Sequence, residues 1–359
     1  HVAKKNKELK DGELWGVVTL VYQPPADKEK GFVELVNYKA FKPYKVDLEY
    51  FRAARKEFST TEWIDLLIRS MEYNPDGFES LSQKLMFLSR LLVFIEPRLN
   101  LIELAPKGTG KSYIFGNLSK YGWMISGGKV TRAKLFYDMT KKSMGAITLY
   151  DFVTMDEIQT ITFSDSAEIQ AALKSYLEFG YTTVANVKLV SQAGLIIMGN
   201  ISLSRDKKPM RLKYFSELPE TFKESALLDR FHGFIEGWKL PRINEDLKIN
   251  GWTLNVEYFS EIMHELRDKP IYSAIVNDLL EVPAKADTRD TTAVKRIATA
   301  YLKLLFPNVN DTSEIDKDDF NNYCLIPAIE KRQIIRRQIH LIDEEFSDEM
   351  PDIKIEMNE

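Results

Sequence analysis

A chain of 359 residues with 49 basic and 53 acidic side chains, net charge −4, has room for two or three domains and a substantial core. Its composition, 44% hydrophobic and 28% charged, is that of a globular protein, and it lacks the apolar run of roughly 20 residues that spans a bilayer, which argues against an integral membrane protein. The near-neutral charge argues against a wholly basic nucleic-acid binder, and the single cysteine, Cys324, excludes a disulfide framework or cysteine zinc cluster and suits the reducing cytoplasm.

The chain opens on His1 rather than Met with no signal peptide after it, and so reads as a segment starting partway into a longer protein. The lysine-rich start (Lys4, Lys5, Lys7, Lys10) is expected to fray. Residues 14–22 and 32–38 have strand composition and are separated by the breaker Gln23-Pro24-Pro25 and a charged loop. Residues 48–58 and 62–73 read as helices, the second capped from the Ser59-Thr60-Thr61-Glu62 stretch. Asn74-Pro75-Asp76-Gly77 then stops the helix and turns the chain. These signals define a small α+β module over residues 1–76.

A different rhythm follows. A long apolar-periodic helix over 81–95 ends at Pro97, and a short apolar strand occupies 99–104. Strands at 123–126, 152–155 and 195–198 alternate with helices at 131–142 and 169–179, the pattern of a parallel α/β sheet with crossover helices over 77–240. Residues 241–310 read as a helical lid whose strongest helix is 294–305. Residues 311–359 carry one more helix, and their last seventeen residues hold eight acids against Lys354, a tail expected to be solvated and disordered.

The strongest chemical signal is the strand that runs into Ala105-Pro106-Lys107-Gly108-Thr109-Gly110-Lys111-Ser112 and on into a helix. Gly108 and Gly110 let backbone N–H groups turn around a phosphate, Lys111 reaches the terminal phosphates, and Ser112 can hold Mg²⁺. Pro106 through Ser112 is thus a candidate ATP site. The pattern normally begins with glycine, and Ala105 is a mild departure. Asp156 and Glu157 emerge from the apolar strand at 152–155, Asp156 lying 45 residues after Lys111, with Asp156 to position Mg²⁺ and Glu157 to polarise the attacking water. Asn200 ends another apolar strand, within reach of the γ-phosphate or that water. Arg230 sits between apolar residues, where a ring ATPase carries the arginine inserted into its neighbour's site. Arg289 opens the lid helix as a second phosphate sensor, with Arg296 as the competing candidate.

Together these features resemble an AAA+ ATPase. More narrowly, LIELAPKGTGKSYIFGNLSKYGW, the following SGG and TRAKLFYDM, YDFVTMDEIQTI and LLDRFHGFIEGW are similar to the BrxL family, the Lon-like AAA+ proteins of bacterial BREX anti-phage systems. The similarity runs over residues 15–345. It implies an AAA+ P-loop sheet with helices on both faces, a helical lid and a core similar to the MCM helicases. It also implies Mg²⁺-dependent ATP hydrolysis and a homo-oligomeric ring, single or stacked, that binds double-stranded DNA alongside other BREX components in the cytoplasm. On the matching positions the roles fall to Lys111, Ser112, Asp156, Glu157, Asn200, Arg230 and Arg289. The family also carries a C-terminal domain resembling the Lon protease. Only some fifty residues follow Leu305 here, with no serine–lysine dyad among them, so peptidase activity is not expected of this chain.

The DNA candidates are basic. Residues 181–190 alternate β-formers about a turn at Ala185-Asn186, a hairpin that offers Lys188 to the channel of a ring. The stretch from Ser204 to Tyr214 adds Arg205, Lys207 and Lys208, followed by Arg211 and Lys213. A second basic stretch spans 120–142. Lys331, Arg332, Arg336 and Arg337 read as packed amphipathic structure, and His232 as a structural histidine. Two alternatives stand beside the DNA motor: the motor half of an ATP-dependent protease, and a nucleotide-gated DNA-binding scaffold with slow turnover.

Overall fold

The computed structural model describes residues 16–25, 30–40, 46–184 and 186–356. The lysine-rich start lies outside them. The chain divides into two units, residues 1–47 and 48–359.

The first unit contains a ribbon of two antiparallel strands, β1 (Gly16–Gln23) and β2 (Phe32–Ala40), with a register shift between Thr19 and Leu20. Most of its apolar side chains, among them Leu20, Tyr22, Phe32 and Val33, are exposed, whereas Tyr38 is buried.

The second unit begins with α1 (Leu48–Arg55) and α2 (Thr60–Ser70). A capping box starts α2: Glu62 N donates to Ser59 Oγ at 3.3 Å, and Ser59 N donates to the Glu62 carboxylate at 2.9 Å. Both helices pack where the sequence alone does not place them. Residues 48–76 of the expected module belong to the second unit, where α1 and α2 close the end of the lid helix. Trp63 Nε1 donates to Leu304 O at 3.0 Å and Arg55 Nε to Leu305 O at 2.7 Å. These are last-turn carbonyls with no partner within their own helix, and the Arg55 charge also suits the negative helix end.

The centre is a five-stranded parallel sheet: β3 (Asn100–Ala105), β4 (Gly122–Val130), β5 (Phe152–Phe163), β8 (Gly194–Asn200) and β9 (Gly233–Glu236), in spatial order β9-β3-β8-β5-β4. The hairpin β6 (Tyr181–Val184) and β7 (Val187–Val190) precedes β8, as the alternation predicts. Crossover helices α3 (Lys111–Asn117) and α4 (Ser166–Phe179) connect strands, and α5 (Val256–Arg267), α6 (Ile271–Leu279), α7 (Thr288–Leu305) and α8 (Ile326–His340) follow the sheet. This is the α/β P-loop AAA+ fold. Every residue of β3 is buried, as a central parallel strand requires. Because β8 lies between β3 and β5, its last residue ends up between the phosphate loop and the acidic pair.

Three local expectations change. The helix read over 131–142 is helical only at Arg132–Leu135, after which Tyr137–Asp138 pairs with Ser143–Met144. Asp138 Oδ1 accepts from Thr140 N at 2.9 Å and Lys141 N at 3.0 Å, and this turn overrides the helical period. The strand read over 152–155 continues to Phe163, pairing again with β4 beyond a register shift between Ser126 and Gly128. The acidic tail is held as far as it is described. Gln333 Nε2 donates to Asp348 O at 2.7 Å, Ile353 is buried, and Leu280–Glu281 pairs with Lys354–Ile355. Backbone hydrogen bonds, Ile353, Phe346 packed against the core, and Asp343 accepting from Ser225 Oγ at 2.9 Å hold it in place. Among the described residues no helix is long and apolar enough to cross a membrane.

Candidate nucleotide site

Lys107, Gly108, Thr109, Gly110, Lys111, Ser112, Asp156, Glu157 and Asn200 line one cleft of 360 Å³, joined there by Tyr113 and Ile243. The loop is made by glycine conformations: Gly108 and Gly110 have φ of +82° and +77°, which only glycine adopts without strain. A Cβ on Gly110 would also run into the Tyr73 hydroxyl. Pro106 sits at the loop's base, its carbonyl accepting from Thr109 Oγ1 at 3.3 Å. The departure at Ala105 has a structural counterpart. Its methyl group lies against Gly237 at the end of β9, where any Cβ would collide with it.

Beneath the loop lies a pair of charges that sequence reasoning passed over. Arg90 Nη2 and Nε bind the two oxygens of Glu103 on β3 at 2.5 and 3.0 Å, both side chains fully buried, and Arg90 Nη1 donates to Thr109 O at 2.7 Å. The guanidinium therefore braces the loop from inside. The signal was present as two charges within otherwise apolar runs, which in a core call for each other. From outside, Ile243 N donates to Gly108 O at 2.8 Å.

The candidate side chains converge on this loop. Lys111 Nζ donates to Asn200 Oδ1 at 3.1 Å. Burial draws the lysine below its ordinary pKa, against the pull of Glu103 and Asp156. Such an ammonium gains most from a bound anion. Ser112 Oγ donates to the buried Asp156 Oδ2 at 2.5 Å, while Asp156 Oδ1 accepts from Glu157 N at 2.8 Å. Hydroxyl and carboxylate oxygens brought together in this way are the donor set Mg²⁺ prefers, so the residues fit the metal. Glu157 has φ +50°, an unusual backbone state for glutamate, and its side chain is exposed at the cleft. Gln159 was also missed: its Nε2 donates to Asn200 O at 2.7 Å and its Oε1 accepts from Asn200 N at 3.2 Å, clamping the Asn200 backbone. Tyr113 donates to Glu72, which pushes the phenol up to about 12.

Arg230 and Arg289 are absent from the residues lining this cleft. They lie together in a separate cluster, both ion-paired with Glu178 Oε2 at 2.9 and 3.0 Å, and Arg289 Nη1 also binds Asp229 at 2.8 Å. Burial opposes the Arg289 charge, but Asp229 and Glu178 outweigh it and raise its pKa. The rival, Arg296, donates to Pro97 O at 2.9 Å and Arg98 O at 3.1 Å.

A family model described as Lon-like protease BrxL-like, ATPase domain, matches residues 33–352. The chain belongs to this BrxL-like ATPase-domain family. Two curated relatives, each named Lon-like protease BrxL, come from Escherichia coli O9:H4 (strain HS) and Bacillus cereus (strain H3081.97). They are 30% and 31% identical over 94% and 91% of this chain. The chain spans about half the length of these curated relatives, 48% of each.

In this BrxL-like ATPase domain the basic candidates are surface residues. Lys188 is exposed on β7 with its Nζ 4.4 Å from the Tyr181 ring centroid. Arg205, Lys207 and Lys208 are exposed on a turn closed by Ser204 N donating to Lys208 O at 2.8 Å. His232 is structural: its Nδ1 accepts from Asn100 N at 2.9 Å, and burial lowers its pKa well below the ordinary value. Arg332 is buried, as its reading in packed structure requires.

Proposed function

We propose that this chain is the Mg²⁺-dependent ATPase part of a BrxL-type protein that assembles into rings on double-stranded DNA and acts in BREX anti-phage defence. The observation that carries this reading is the split between two sites. One cleft gathers Lys111, Ser112, Asp156, Glu157 and Asn200, whereas Arg230 and Arg289 are held together elsewhere. A subunit arranged this way completes its chemistry with a neighbour's arginines.

In this reading the loop from Pro106 to Ser112 holds the phosphates and Lys111 neutralises the terminal ones. Ser112 and Asp156 hold Mg²⁺, which when bound offsets phosphate charge. Glu157 orients a water and accepts its proton, and Asn200, clamped by Gln159, fixes the position of that water or of the γ-phosphate. Arg230 and Arg289 reach the adjacent protomer's nucleotide and stabilise charge on the transferred group. Lys188 and the turn bearing Arg205, Lys207 and Lys208 contact the DNA phosphates.

The test combines phosphate release with DNA binding at several salt concentrations. Glu157→Gln is expected to lower turnover about 100-fold while ATP still binds. DNA affinity is expected to fall steeply with salt, and less steeply once Lys188, Lys207 and Lys208 are changed to alanine. Unchanged turnover in Glu157→Gln would remove its role. DNA affinity indifferent to salt and to these lysines would favour a polypeptide-threading motor, and defence that survives loss of turnover would favour a scaffold.

A further inference from the structure

Glu178, near the end of α4, stands where two arginines distant in sequence meet. Its Oε2 lies 2.9 Å from Arg230 Nε and accepts from Arg289 Nε at 3.1 Å, with Arg289 Nη2 at 3.0 Å. Asp229 takes the Arg289 Nη1 at 2.8 Å, but its other oxygen is committed to the buried Arg332 at 2.6 Å. Arg332 is fixed in turn by Asp290 at 2.6 Å and by the carbonyls of Asp229 and Phe231. Asp229 is therefore locked into the core. Glu178 differs: its side chain is 26% exposed, and its carbonyl is pinned by Arg98 Nη2 at 2.9 Å. The backbone is held while the carboxylate remains open to exchange.

Arg230 and Arg289 share one oxygen of Glu178, and the Asp229 that also binds Arg289 is shared with Arg332, so the two guanidiniums keep N–H donors for a further anion. Planar forks of this kind match phosphate oxygens better than any other common group. Without the shared carboxylate the two like charges would separate, and each would have to be gathered again at the moment of reaction.

We propose that Glu178 is the positioning residue of the shared nucleotide site. It holds Arg230 and Arg289 side by side so that the triphosphate of an adjacent protomer meets both at once. The inference rests on the reading that this site is completed by a neighbour, and it adds the residue that prepares the neighbour's contribution.

Mixed oligomers test both layers separately. Alone, Glu178→Ala is expected to lower kcat at least tenfold with KM for ATP unchanged, because its own cleft is intact. Subunits carrying Lys111→Ala lose the cleft but keep the arginine pair. Mixing the two variants places an intact cleft beside an intact pair, and turnover is expected to rise several-fold above either variant alone. Arg230→Ala mixed with Lys111→Ala is the control. If the control recovers and the Glu178→Ala mixture does not, Glu178 has no positioning role and the shared site stands. If neither recovers, the shared site falls and the inference with it. Should Glu178→Ala fold poorly, Glu178→Gln keeps an acceptor of the same reach and is expected to lose less turnover and to complement equally well. Full turnover in a folded Glu178→Ala or Glu178→Gln protein would overturn the proposal.

Discussion

The cleft at Lys111 and the arginine pair at Glu178 are built by opposite means. The cleft is set by short contiguous stretches: the loop that follows β3, Asp156 and Glu157 where the continuously buried half of β5 gives way to its exposed half, and Asn200 at the end of β8. The pair is assembled from Glu178, Asp229, Arg230, Arg289 and Arg332, which come from four separate parts of the chain and are joined by ion pairs and hydrogen bonds. The cleft can therefore be specified by local backbone geometry, whereas the pair depends on how α4, α7 and α8 pack against each other. A change under the first should disturb nucleotide binding, and a change in the second should disturb turnover alone.

Arg90→Ala gives the larger expected effect. It leaves the Glu103 carboxylate buried without its partner, which costs about 3–5 kcal/mol of stability. The loop also loses the brace at Thr109 O, so urea unfolding should shift to lower concentration and ATP affinity should weaken together. A variant with wild-type stability and affinity would show that the loop needs no internal support. Arg289→Ala is expected to be milder, lowering turnover about tenfold while ATP affinity is kept. Steady-state kinetics beside equilibrium binding separates the outcomes: reduced ATP affinity would return Arg289 to its own subunit's cleft and erase the contrast between the two regions.

Much of the cleft was legible beforehand because its determinants are local. Glycines at Gly108 and Gly110, Lys111 opening a helix, and Asp156 directly after the mostly apolar run 152–155 are patterns of neighbouring residues. The alternation of strands and helices likewise carried the parallel sheet. What escaped is non-local. Arg90 and Glu103 are thirteen positions apart yet share one buried contact, Gln159 reaches across to the Asn200 backbone, and Ala105 is accommodated by Gly237 just after β9. The same holds for the tail, whose charge suggested solvation although Ile353 and a two-residue strand hold it. In the segment over 131–142 a single side chain, Asp138, converted a helical pattern into a turn.

The central claim, that the loop between Ala105 and Ser112 binds a triphosphate through Lys111, is most directly tested by calorimetric titration with ATP and Mg²⁺. The wild-type chain is expected to bind and the Lys111→Ala chain to show no measurable heat at the same concentrations. Equal affinity in the two would contradict the account.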